Sequence, residues 1–442
     1  MALKGLDIFK ITPKTNCKDC GNPTCMAFAM KVAQGAVAID KCPHLSQDVL
    51  DSLSEATAPP MKTIKLGAEH TLGGETVLAR HEKTFISKSL FAVTLSASAD
   101  DAVNDAALAS LAIDYERIGE RMYVELVNVK QNGGDGVKFL DLVKKAKESG
   151  RTLILNTTDL DLAKQALEIT KGDRPLLNGA TVANYKEMNA LATEYAALLG
   201  VSGADLDELY DTVAAIEALG NKELVLDVGT ESAKAAFENA VLIRRAALKA
   251  NDRVFGYPSL VDVGAIAAGD ANLQTALASV FTLKYGSIVV MESMSYAQAL
   301  PLYGLRQNIF TDPQKPMRVE PGIYPLNGAT ADSVCAITVD FALTYFVVSG
   351  EVERSGIPVN LLITDAGGYS VLTAWAAGKL SASSVAKFIN EDVAPKVNCR
   401  TLILPGKVAV LKGEIEDKLP DWNVVVGTNE AIELVKFLKT YK

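Results

Sequence analysis

The segment LFAVTLSA (90–97) is the first of seven short apolar segments that decide the fold of this 442-residue chain. Amphipathic stretches separate the segments, among them 136–150, 183–200 and 230–250, whose apolar residues recur at helical spacing. Strands that alternate with helices over some 260 residues predict a parallel sheet with helical crossovers, and this length suits a (β/α)8 TIM-type barrel. The other six segments are MYVELVNV (122–129), TLILNT (152–157), PLLNGA (175–180), ELVLDVG (223–229), RVFGYPSLV (253–261) and SIVVMES (287–293).

The barrel needs an eighth strand, and the sequence offers two candidates for it upstream of residue 90. We place it near MKTIKLG (61–67) or in VLARHEKTF (77–85). Several predicted strands also end in polar residues, at the edge where such barrels bind ligands. Polar residues also simply begin loops, which is the more common explanation for any single one. These strand-end residues are Asn128, Asn156, Asn178, Asp227 and Glu292.

The last part of the chain predicts a second, smaller α/β domain. Its strand candidates are CAITV (335–339), PVNLLIT (358–364), RTLILP (400–405) and WNVVVG (422–427), with helical stretches between them. This order indicates an open, doubly wound, flavodoxin-like sheet that binds its ligand at the carboxyl ends of the strands. The first strand runs into DFALTYF, with neither a Gly-x-Gly-x-x-Gly fingerprint nor a P-loop, so spacing alone leaves the ligand open.

The N-terminal region holds a cluster of four cysteines, Cys17-x2-Cys20-x4-Cys25-x16-Cys42, followed by Pro43. No apolar signal sequence precedes the cluster, which argues against disulfides. A structural zinc site remains an alternative, but zinc modules usually use two short pairs. Three bunched ligands and a remote Cys-Pro are closer to iron–sulfur ligation, so we predict a [4Fe–4S] cluster. Cys335 and Cys399 each begin an apolar run, and we leave both out of the site.

Composition and interruptions in the pattern set the domain limits and exclude some partners. Paired prolines at 59 and 60, and prolines with glycines over 316–328, divide the chain into a cluster module (1–58), a barrel (59–325) and a C-terminal domain (326–442). The net charge of −9 is well mixed, without a basic stripe, which makes a nucleic-acid partner unexpected. Apolar runs stay well below the roughly 20 residues that cross a bilayer, so we expect a cytoplasmic protein that does not enter a membrane.

Taken together, three motifs resemble a known family. The cysteine pattern, a barrel containing GGETVLARHEKTF (73–85) and the C-terminal TDAGGYSVLTAWAAGKL (364–380) are similar to the large (gamma) subunit of the corrinoid iron–sulfur protein of the reductive acetyl-CoA pathway. The resemblance implies a methyltransferase-type methyl carrier with a base-off cobamide. A separate methyltransferase would load the cobalt, as Co(I), from methyltetrahydrofolate. The methyl group would then pass to the nickel site of acetyl-CoA synthase, which works with CO dehydrogenase.

The resemblance also implies a partner and a set of site residues. A small barrel subunit would complete a heterodimer, and the iron–sulfur cluster would return accidentally formed Co(II) to Co(I). The cluster ligands would be Cys17, Cys20, Cys25 and Cys42. Leu372 and Thr373 would lie beneath the corrin ring, and Pro405, Gly406, Gly427 and Ala431 would line the cofactor tail. The other cobamide contacts implied are Thr338, Thr344, Gly368, Tyr369, Ser370 and Val371.

Two functions of other classes stay open at this point. One is a self-contained methyltransferase whose barrel binds a pterin, which the polar strand ends would allow. The other is an electron-transfer protein with a flavin in the C-terminal domain. Activity of the isolated chain on methyltetrahydrofolate would distinguish the first, and the absorption spectrum of the purified protein would distinguish the second.

Overall fold

A computed structural model describes residues 5–33, 37, 39–46, 50, 59–82, 84–311 and 317–440. The described residues form two compact units, one within 1–115 and 122–310, the other within 116–121 and 311–442. The predicted three-part division stays a prediction. Its first boundary adjoins residues 51–58, outside the described residues, and its second falls inside a strand of the C-terminal sheet, Gly322–Leu326. No helix among the described residues is long and apolar enough to span a bilayer.

The N-terminal residues form a small helical module around the cysteines. Two helices, Gly5–Ile11 and Cys25–Ala33, pack together, and a 3-10 turn, Ile39–Lys41, precedes the last cysteine of the cluster. Apolar side chains from these elements, including Ile8, Phe28 and Val32, form a core of their own. Burial of these side chains gives the module a packed scaffold that holds the cysteine-bearing loops.

The prediction of a TIM-type barrel is confirmed, because eight parallel strands close on one another. The strands enclose one apolar core, and in a closed barrel every strand has two neighbours. Because both faces of each strand are buried, the strands read as nearly continuous apolar runs. In chain order they are Leu90–Ser96, Leu126–Lys130, Thr152–Asn156, Leu176–Ala180, Leu198–Val201, Leu224–Asp227, Ser259–Asp262 and Ile288–Met291.

The predicted position of the eighth strand is wrong. The missing strand is Leu198–Val201, at the end of the stretch that we assigned to a helix. MKTIKLG instead contributes Thr63–Leu66 to an antiparallel hairpin with His70–Gly73. Of VLARHEKTF, residues 77–82, 84 and 85 form turns and irregular backbone, and residue 83 lies outside the described residues.

Helices surround the barrel and mostly begin at good capping residues. The side chains of six caps accept hydrogen bonds from backbone N–H groups of the first helical turn, which stabilises each helix by about 1 kcal/mol. These caps are Asp135, Asp159, Asp205, Ser232, Asp262 and Asp270. A small hairpin, Asp114–Arg117 with Glu120–Tyr123, follows a 3-10 turn at Ser110–Ala112. The helices are Asp101–Ala109, Gly136–Glu148, Leu160–Ile169, Tyr185–Glu194, Leu206–Ala218, Ala233–Lys249, Val263–Ile266, Ala271–Leu283 and Tyr296–Ile309.

The C-terminal unit is the predicted doubly wound, flavodoxin-like sheet with one strand added. Its strand order is Gly322–Leu326, Val359–Thr364, Val334–Val339, Thr401–Leu404, Asn423–Val426, and only the first is antiparallel. Apolar clusters cover the sheet on both faces. The helices are Ala342–Ser355, Val371–Ala376, Ala382–Phe388, Lys412–Lys418 and Leu434–Leu438, with a π-helical turn at Ile389–Val393 and 3-10 turns at Gly406–Leu411 and Ala431–Glu433.

Candidate cofactor sites

A cavity of about 310 Å³ lies at the carboxyl edge of the C-terminal sheet. Its deep end is apolar and reaches Ala336, Val352 and Leu438, all buried in the core between the sheet and two helices. A slot of this kind suits a flat aromatic group, because apolar walls exclude water from both of its faces. Eight of the twelve predicted cobamide contacts line the cavity: Thr338, Thr344, Ser370, Val371, Leu372, Pro405, Gly427 and Ala431.

Thr338 is the most informative residue in this cavity. It lies on the first parallel strand of the sheet and is 3% exposed, and its hydroxyl oxygen has no hydrogen-bond partner among the described residues. A buried hydroxyl without a partner costs about 1–3 kcal/mol. Since this hydroxyl lines the cavity, a ligand with a polar group inside the slot would supply the missing partner.

The other four predicted contacts lie close to the cavity without lining it. Gly368 donates its backbone N–H into the protein, and the exposed Thr373 hydroxyl lies 3.0 Å from that of Ser370. Tyr369 is 41% exposed. Gly406 packs against the loop after the fourth parallel strand, where a Cβ would lie 2.7 Å from Asn429 Oδ1. These four residues shape the loops around the cavity.

Asp340 holds the loop that carries the glycine pair, and our sequence analysis missed it. Its carboxylate is fully buried and accepts hydrogen bonds from the backbone N–H groups of Ala366 and Gly368, both at 3.0 Å. Arg318 lies 3.4 Å from this carboxylate and donates to Asp365 at 3.3 Å. The signal was an aspartate directly after a buried strand, in TVDFAL, which we interpreted only as the start of a helix.

The glycine pair itself is required by the backbone of this loop. Gly367 and Gly368 have φ values of +69° and +77°, in the left-handed region that other residues rarely adopt. In this conformation the loop aims two amides at Asp340, and the following residues Ser370–Leu372 pass along the cavity wall. The buried carboxylate and the two glycines therefore fix the loop in place before any ligand binds.

The rim of the cavity is apolar and open to solvent. Leu343 and Val347, on the helix Ala342–Ser355, are 62% and 47% exposed, and Leu372 is 47% exposed. Isolated exposed apolar side chains are common, but several in one patch indicate a surface that something covers. A large flat ligand seated over the cavity and a partner protein could both provide that cover.

The four clustered cysteines come together in the N-terminal module. Cys25 and Cys42 are buried, Cys20 is partly exposed and Cys17 is exposed. Burial raises the pKa of the Cys42 thiol, and the charges of Cys20, Cys25 and Cys17 raise it further, because the other three sulfurs are close enough to act on it. Four thiolates this close repel one another unless a cationic metal centre binds them.

The backbone around the cysteines is wound tightly. Lys14, Asn16 and Lys18 all have positive φ values, between 50° and 69°. Asn16 Oδ1 accepts a hydrogen bond from the Cys25 N–H at 2.8 Å, and Asn22 Nδ2 lies 3.7 Å from Cys20 Sγ, within hydrogen-bonding range for sulfur. Hydrogen bonds to ligand sulfurs stabilise negative charge, so this arrangement suits an iron–sulfur cluster or a zinc ion.

Asp19 and His44 lie beside the exposed member of the cluster. The Asp19 carboxylate and the His44 Nε2 are 2.6 Å apart, and one ligand atom from each of these residues and the Cys17 sulfur lie within 4.8 Å of one another. The hydrogen bond to His44, followed by that to Cys17, lowers the pKa of Asp19. The hydrogen-bonded Asp19 and His44 side chains thus lie next to Cys17 on the solvent-exposed side of the cluster.

The remaining two cysteines belong to the C-terminal unit. Cys335 lies on the first parallel strand of that unit and is fully buried, and desolvation raises the pKa of its thiol to about 12. Cys399 is partly exposed, just before the third parallel strand. A thiol with so high a pKa is a poor nucleophile and a poor metal ligand, so Cys335 packs as a small apolar side chain.

Comparisons with known proteins agree on one family. A family model described as "CO dehydrogenase/acetyl-CoA synthase delta subunit" matches residues 63–438, and one described as "Putative Fe-S cluster" matches residues 13–44. The corrinoid/iron-sulfur protein large subunit of Moorella thermoacetica is 39% identical, with 99% of each chain covered. The acetyl-CoA decarbonylase/synthase complex subunit gamma of Methanothermobacter thermautotrophicus is 31% identical, also with 99% of each chain covered.

A solved structure also matches in part. The dihydropteroate synthase of Thermus thermophilus aligns with 57% of this chain and 100% of its own, at a TM-score of 0.38 and 16% identity. The first family model carries the name of a delta subunit, whereas the full-length relatives are large or gamma subunits. The full-length relatives decide the assignment, because they also cover the cysteine module that this model leaves out. The chain belongs to the family of corrinoid/iron-sulfur protein large subunits and acetyl-CoA decarbonylase/synthase gamma subunits.

Proposed function

We propose that this chain carries methyl groups on a cobamide bound at the carboxyl edge of its C-terminal sheet. The observation that carries the proposal is the apolar cavity with the unpartnered Thr338 hydroxyl at the sheet edge where the sequence analysis expects the cofactor. A cobamide held there would supply the cobalt that accepts a methyl group, which a separate methyltransferase would provide from methyltetrahydrofolate and acetyl-CoA synthase would receive at its nickel site.

The residues around the cavity have distinct tasks in this proposal. The slot between Ala336, Val352 and Leu438 would hold the aromatic base of the cofactor tail away from the cobalt. Thr338 and Thr344 would offer hydroxyls to polar groups of the cofactor. The segment Ser370–Leu372 would contact the ring, and Asp340 keeps that segment in position through the loop amides. The chain would thus bind and orient the cofactor.

The cysteine module complements this role. We assign Cys17, Cys20, Cys25 and Cys42 as the residues that would hold one [4Fe–4S] cluster, which would supply the electron that returns Co(II) to Co(I). The bunched spacing and the match to an iron–sulfur family over residues 13–44 support this assignment over zinc. The chain itself holds the ligands, and Asn16 and Asn22 position the loop between them.

Cofactor analysis tests both assignments at once. Protein purified without oxygen should contain about one cobalt, four iron and four acid-labile sulfide per chain, together with a corrinoid absorption spectrum. Stoichiometric zinc without sulfide would overturn the cluster, and a flavin spectrum without cobalt would overturn the methyl carrier. Cys25→Ala should abolish reductive reactivation and leave methyl transfer from already reduced protein intact. Cys399→Ala is the matched control and should change neither.

The exposed apolar rim supports a heterodimer with a small barrel subunit, in line with the subunit names of the relatives. Reactive Co(I) would require shielding between transfers, and Leu343, Val347 and Leu372 offer an apolar surface for such a cover. The chain with its small subunit should therefore protect Co(I) from oxidation much longer than the chain alone. Equal lifetimes of Co(I) in both preparations would contradict the proposal.

A further inference from the structure

Two loops at the carboxyl edge of the C-terminal sheet bring opposite charges to the wall of the cavity. Lys407 follows the strand Thr401–Leu404, and Glu430 follows the neighbouring strand Asn423–Val426. Both residues line the cavity, and among the described residues that do so Lys407 is the only cation and Glu430 the only carboxylate. Lys407 Nζ lies 3.0 Å from Glu430 Oε1. The charge that the described residues bring to this cavity is therefore confined to one ion pair.

The backbone of these two loops is fixed by contacts between them. The Gly406 N–H donates to the Thr428 carbonyl at 3.0 Å, and the Gly427 N–H donates to the Leu404 carbonyl at 2.8 Å. A Cβ at Gly406 would lie 2.8 Å from the Thr428 backbone, so the close approach of the loops requires a glycine there. Lys407, the next residue, is thus attached to a well-defined part of the cavity wall.

The ion pair itself contributes little to the stability of the fold. The side chains of Lys407 and Glu430 are 40% and 64% exposed, and water screens an ion pair of this kind. The Lys407 ammonium can therefore exchange Glu430 for another anion at small cost. The apolar deep end of the cavity suits an aromatic ligand, but it does not explain a cation at the exposed end. A ligand with one negative charge next to its aromatic group would use both.

We propose that Lys407 binds the phosphodiester in the tail of the cofactor, the anionic group that joins the corrin part of a cobamide to its aromatic base. This inference rests on the proposed function, because it requires a cobamide in the cavity. A lysine ammonium offers a charge-assisted hydrogen bond to a phosphodiester oxygen. Glu430 would hold the ammonium beside the cavity until the phosphodiester replaces it. None of the cobamide contacts predicted from the sequence carries a charge, so Lys407 is a further specificity-determining residue.

Two corrinoid probes separate recognition of the phosphodiester from recognition of the ring. Cobalamin carries the phosphodiester and the base, whereas cobinamide lacks both. The full chain is prepared without a corrinoid, and quenching of tryptophan fluorescence reports binding, since both tryptophans, Trp375 and Trp422, belong to the C-terminal unit. Lys407→Met should weaken cobalamin binding about tenfold, because it removes a charge-assisted hydrogen bond, and should change cobinamide binding by less than about twofold.

Lys412→Met is the matched control for this variant. Lys412 pairs with Glu416 at 3.6 Å, and the two side chains are 43% and 42% exposed, so the variant removes a comparable charge from outside the cavity. Both probes should bind Lys412→Met as they bind the unmodified chain. A tenfold loss of cobalamin affinity in this control would show that the net charge of the unit, and not a contact with Lys407, sets the affinity. That result would contradict the proposal.

The outcomes distinguish this inference from the proposed function. If the unmodified chain bound no cobalamin, both would be wrong. If cobalamin bound and Lys407→Met left its affinity unchanged, the cobamide site would stand and the assignment of Lys407 would fail. Equal losses of cobalamin and cobinamide affinity in Lys407→Met would also overturn the assignment, because they would show that Lys407 only supports the shape of the cavity.

Glu430→Gln and the salt dependence provide a second test. Glutamine removes a carboxylate that competes with the phosphodiester for Lys407 and repels it, so cobalamin affinity should rise about two- to threefold. Raising the salt concentration from about 0.05 M to about 0.5 M should lower cobalamin affinity roughly threefold in the unmodified chain and by less than about twofold in Lys407→Met. A loss of affinity in Glu430→Gln, or the same salt dependence with and without Lys407, would contradict the proposal.

Discussion

The two carboxyl edges of this chain, one in the barrel and one in the C-terminal sheet, use buried polar groups in different ways. In the barrel, polar side chains meet one another across the lumen, as in the pairs Lys130–Asp262 and Asn178–Asp227. In the C-terminal sheet, the buried carboxylate of Asp340 binds backbone amides of its own loop, and the cavity beside it is mostly apolar.

The difference shows which edge is prepared for a large cofactor. A large cofactor with an aromatic tail requires an apolar slot and a loop that is already in place, and Asp340 supplies the second of these. The barrel mouth instead uses its polar side chains in contacts with one another. Substitutions at the two edges should therefore have separable effects on stability and on binding.

The largest effect is expected for Asp340→Ala. Removal of this fully buried carboxylate leaves the Ala366 and Gly368 amides without their acceptor, and Arg318 loses one of its two carboxylate partners. We expect a loss of about 3 kcal/mol in the free energy of unfolding of the C-terminal unit and loss of the bound cobamide during gel filtration. Denaturant unfolding and the cobalt content of the purified protein measure the two effects.

Asp421→Ala is the matched control for this variant, because it removes an exposed carboxylate from the same unit. It should change the free energy of unfolding by less than about 0.5 kcal/mol and leave the cobalt content intact. Full cobamide retention in Asp340→Ala would show that the loop with Gly367 and Gly368 keeps its conformation without the buried carboxylate.

A smaller effect, confined to the barrel, is expected for Lys130→Met. Methionine keeps the length of the side chain but leaves Asp262, which is 7% exposed at its side chain, without its cationic partner. We expect the barrel to lose about 2 kcal/mol of stability, since Lys130 is itself partly exposed and solvent screens part of the interaction. The cobamide content should not change, because the loss is restricted to the other edge.

The control for the barrel variant is Lys138→Met, whose partner Asp101 is 88% exposed at its side chain. An ion pair this exposed contributes little, so the melting temperature should shift by no more than a degree or two. If Lys130→Met and Lys138→Met lowered the stability equally, the Lys130–Asp262 contact would contribute no more to stability than an exposed ion pair.

The sequence predicted both sheets because buried parallel strands give short apolar runs that amphipathic helices separate. It failed at Leu198–Val201 for an identifiable reason. This strand follows the helix Tyr185–Glu194 after a brief turn at Ala196, with a φ of +53° and no glycine or proline to mark it. The edge strand Gly322–Leu326 was missed because Pro325 within it and Pro321 just before it indicated a linker, although edge strands tolerate proline.

The candidate cofactor site was predictable only in part. The loop residues and Thr338 could be located because strand ends and glycines mark the ligand edge of an open sheet. The role of Asp340 could not be predicted. In sequence, an aspartate whose carboxylate accepts hydrogen bonds from loop amides cannot be distinguished from an aspartate that begins a helix. The polar layer of the lumen was visible as separate strand-end residues, but only barrel closure brings Lys130 to Asp262.

A matched pair of threonine variants compares the two edges at the level of one hydroxyl. Thr338→Val removes a buried hydroxyl that has no partner in the described part of the chain, so stability should be unchanged or slightly higher while cobamide affinity falls about tenfold. Thr94→Val removes the acceptor of the Asn128 amide and should cost about 1 kcal/mol of stability without affecting the cobamide. Thermal unfolding and cobamide retention distinguish them.

The opposite pattern would contradict this comparison. If Thr338→Val lowered the stability of the cofactor-free protein by about 1 kcal/mol or more, its hydroxyl would have a structural partner. The affinity loss could then not be attributed to a contact with the cofactor.

The smallest effect is expected when any of the three histidines is replaced. His44, His70 and His81 all precede the C-terminal unit, and the segment Ser370–Thr373 beneath the proposed ring offers hydroxyl and apolar groups. A nitrogen ligand on the lower face of cobalt would stabilise Co(II) relative to Co(I), because Co(I) has a filled orbital along that axis. Without such a ligand, a low-potential cluster would reduce Co(II) to Co(I) more easily.

Electron paramagnetic resonance of the cobamide-loaded protein in the Co(II) state measures this directly. We expect cobalt lines without nitrogen superhyperfine splitting, and identical spectra for His44→Ala, His70→Ala, His81→Ala and the unmodified chain. Thr373→Val should also leave the spectrum almost unchanged, since its exposed hydroxyl lies 3.0 Å from that of Ser370 and is at most a weak ligand. Nitrogen splitting that disappears in one histidine variant would show that a residue from outside the C-terminal unit reaches the cobalt. The C-terminal edge would then need a residue from another part of the chain to complete the cobalt site. That result would contradict the view that this edge binds its cofactor independently of the barrel.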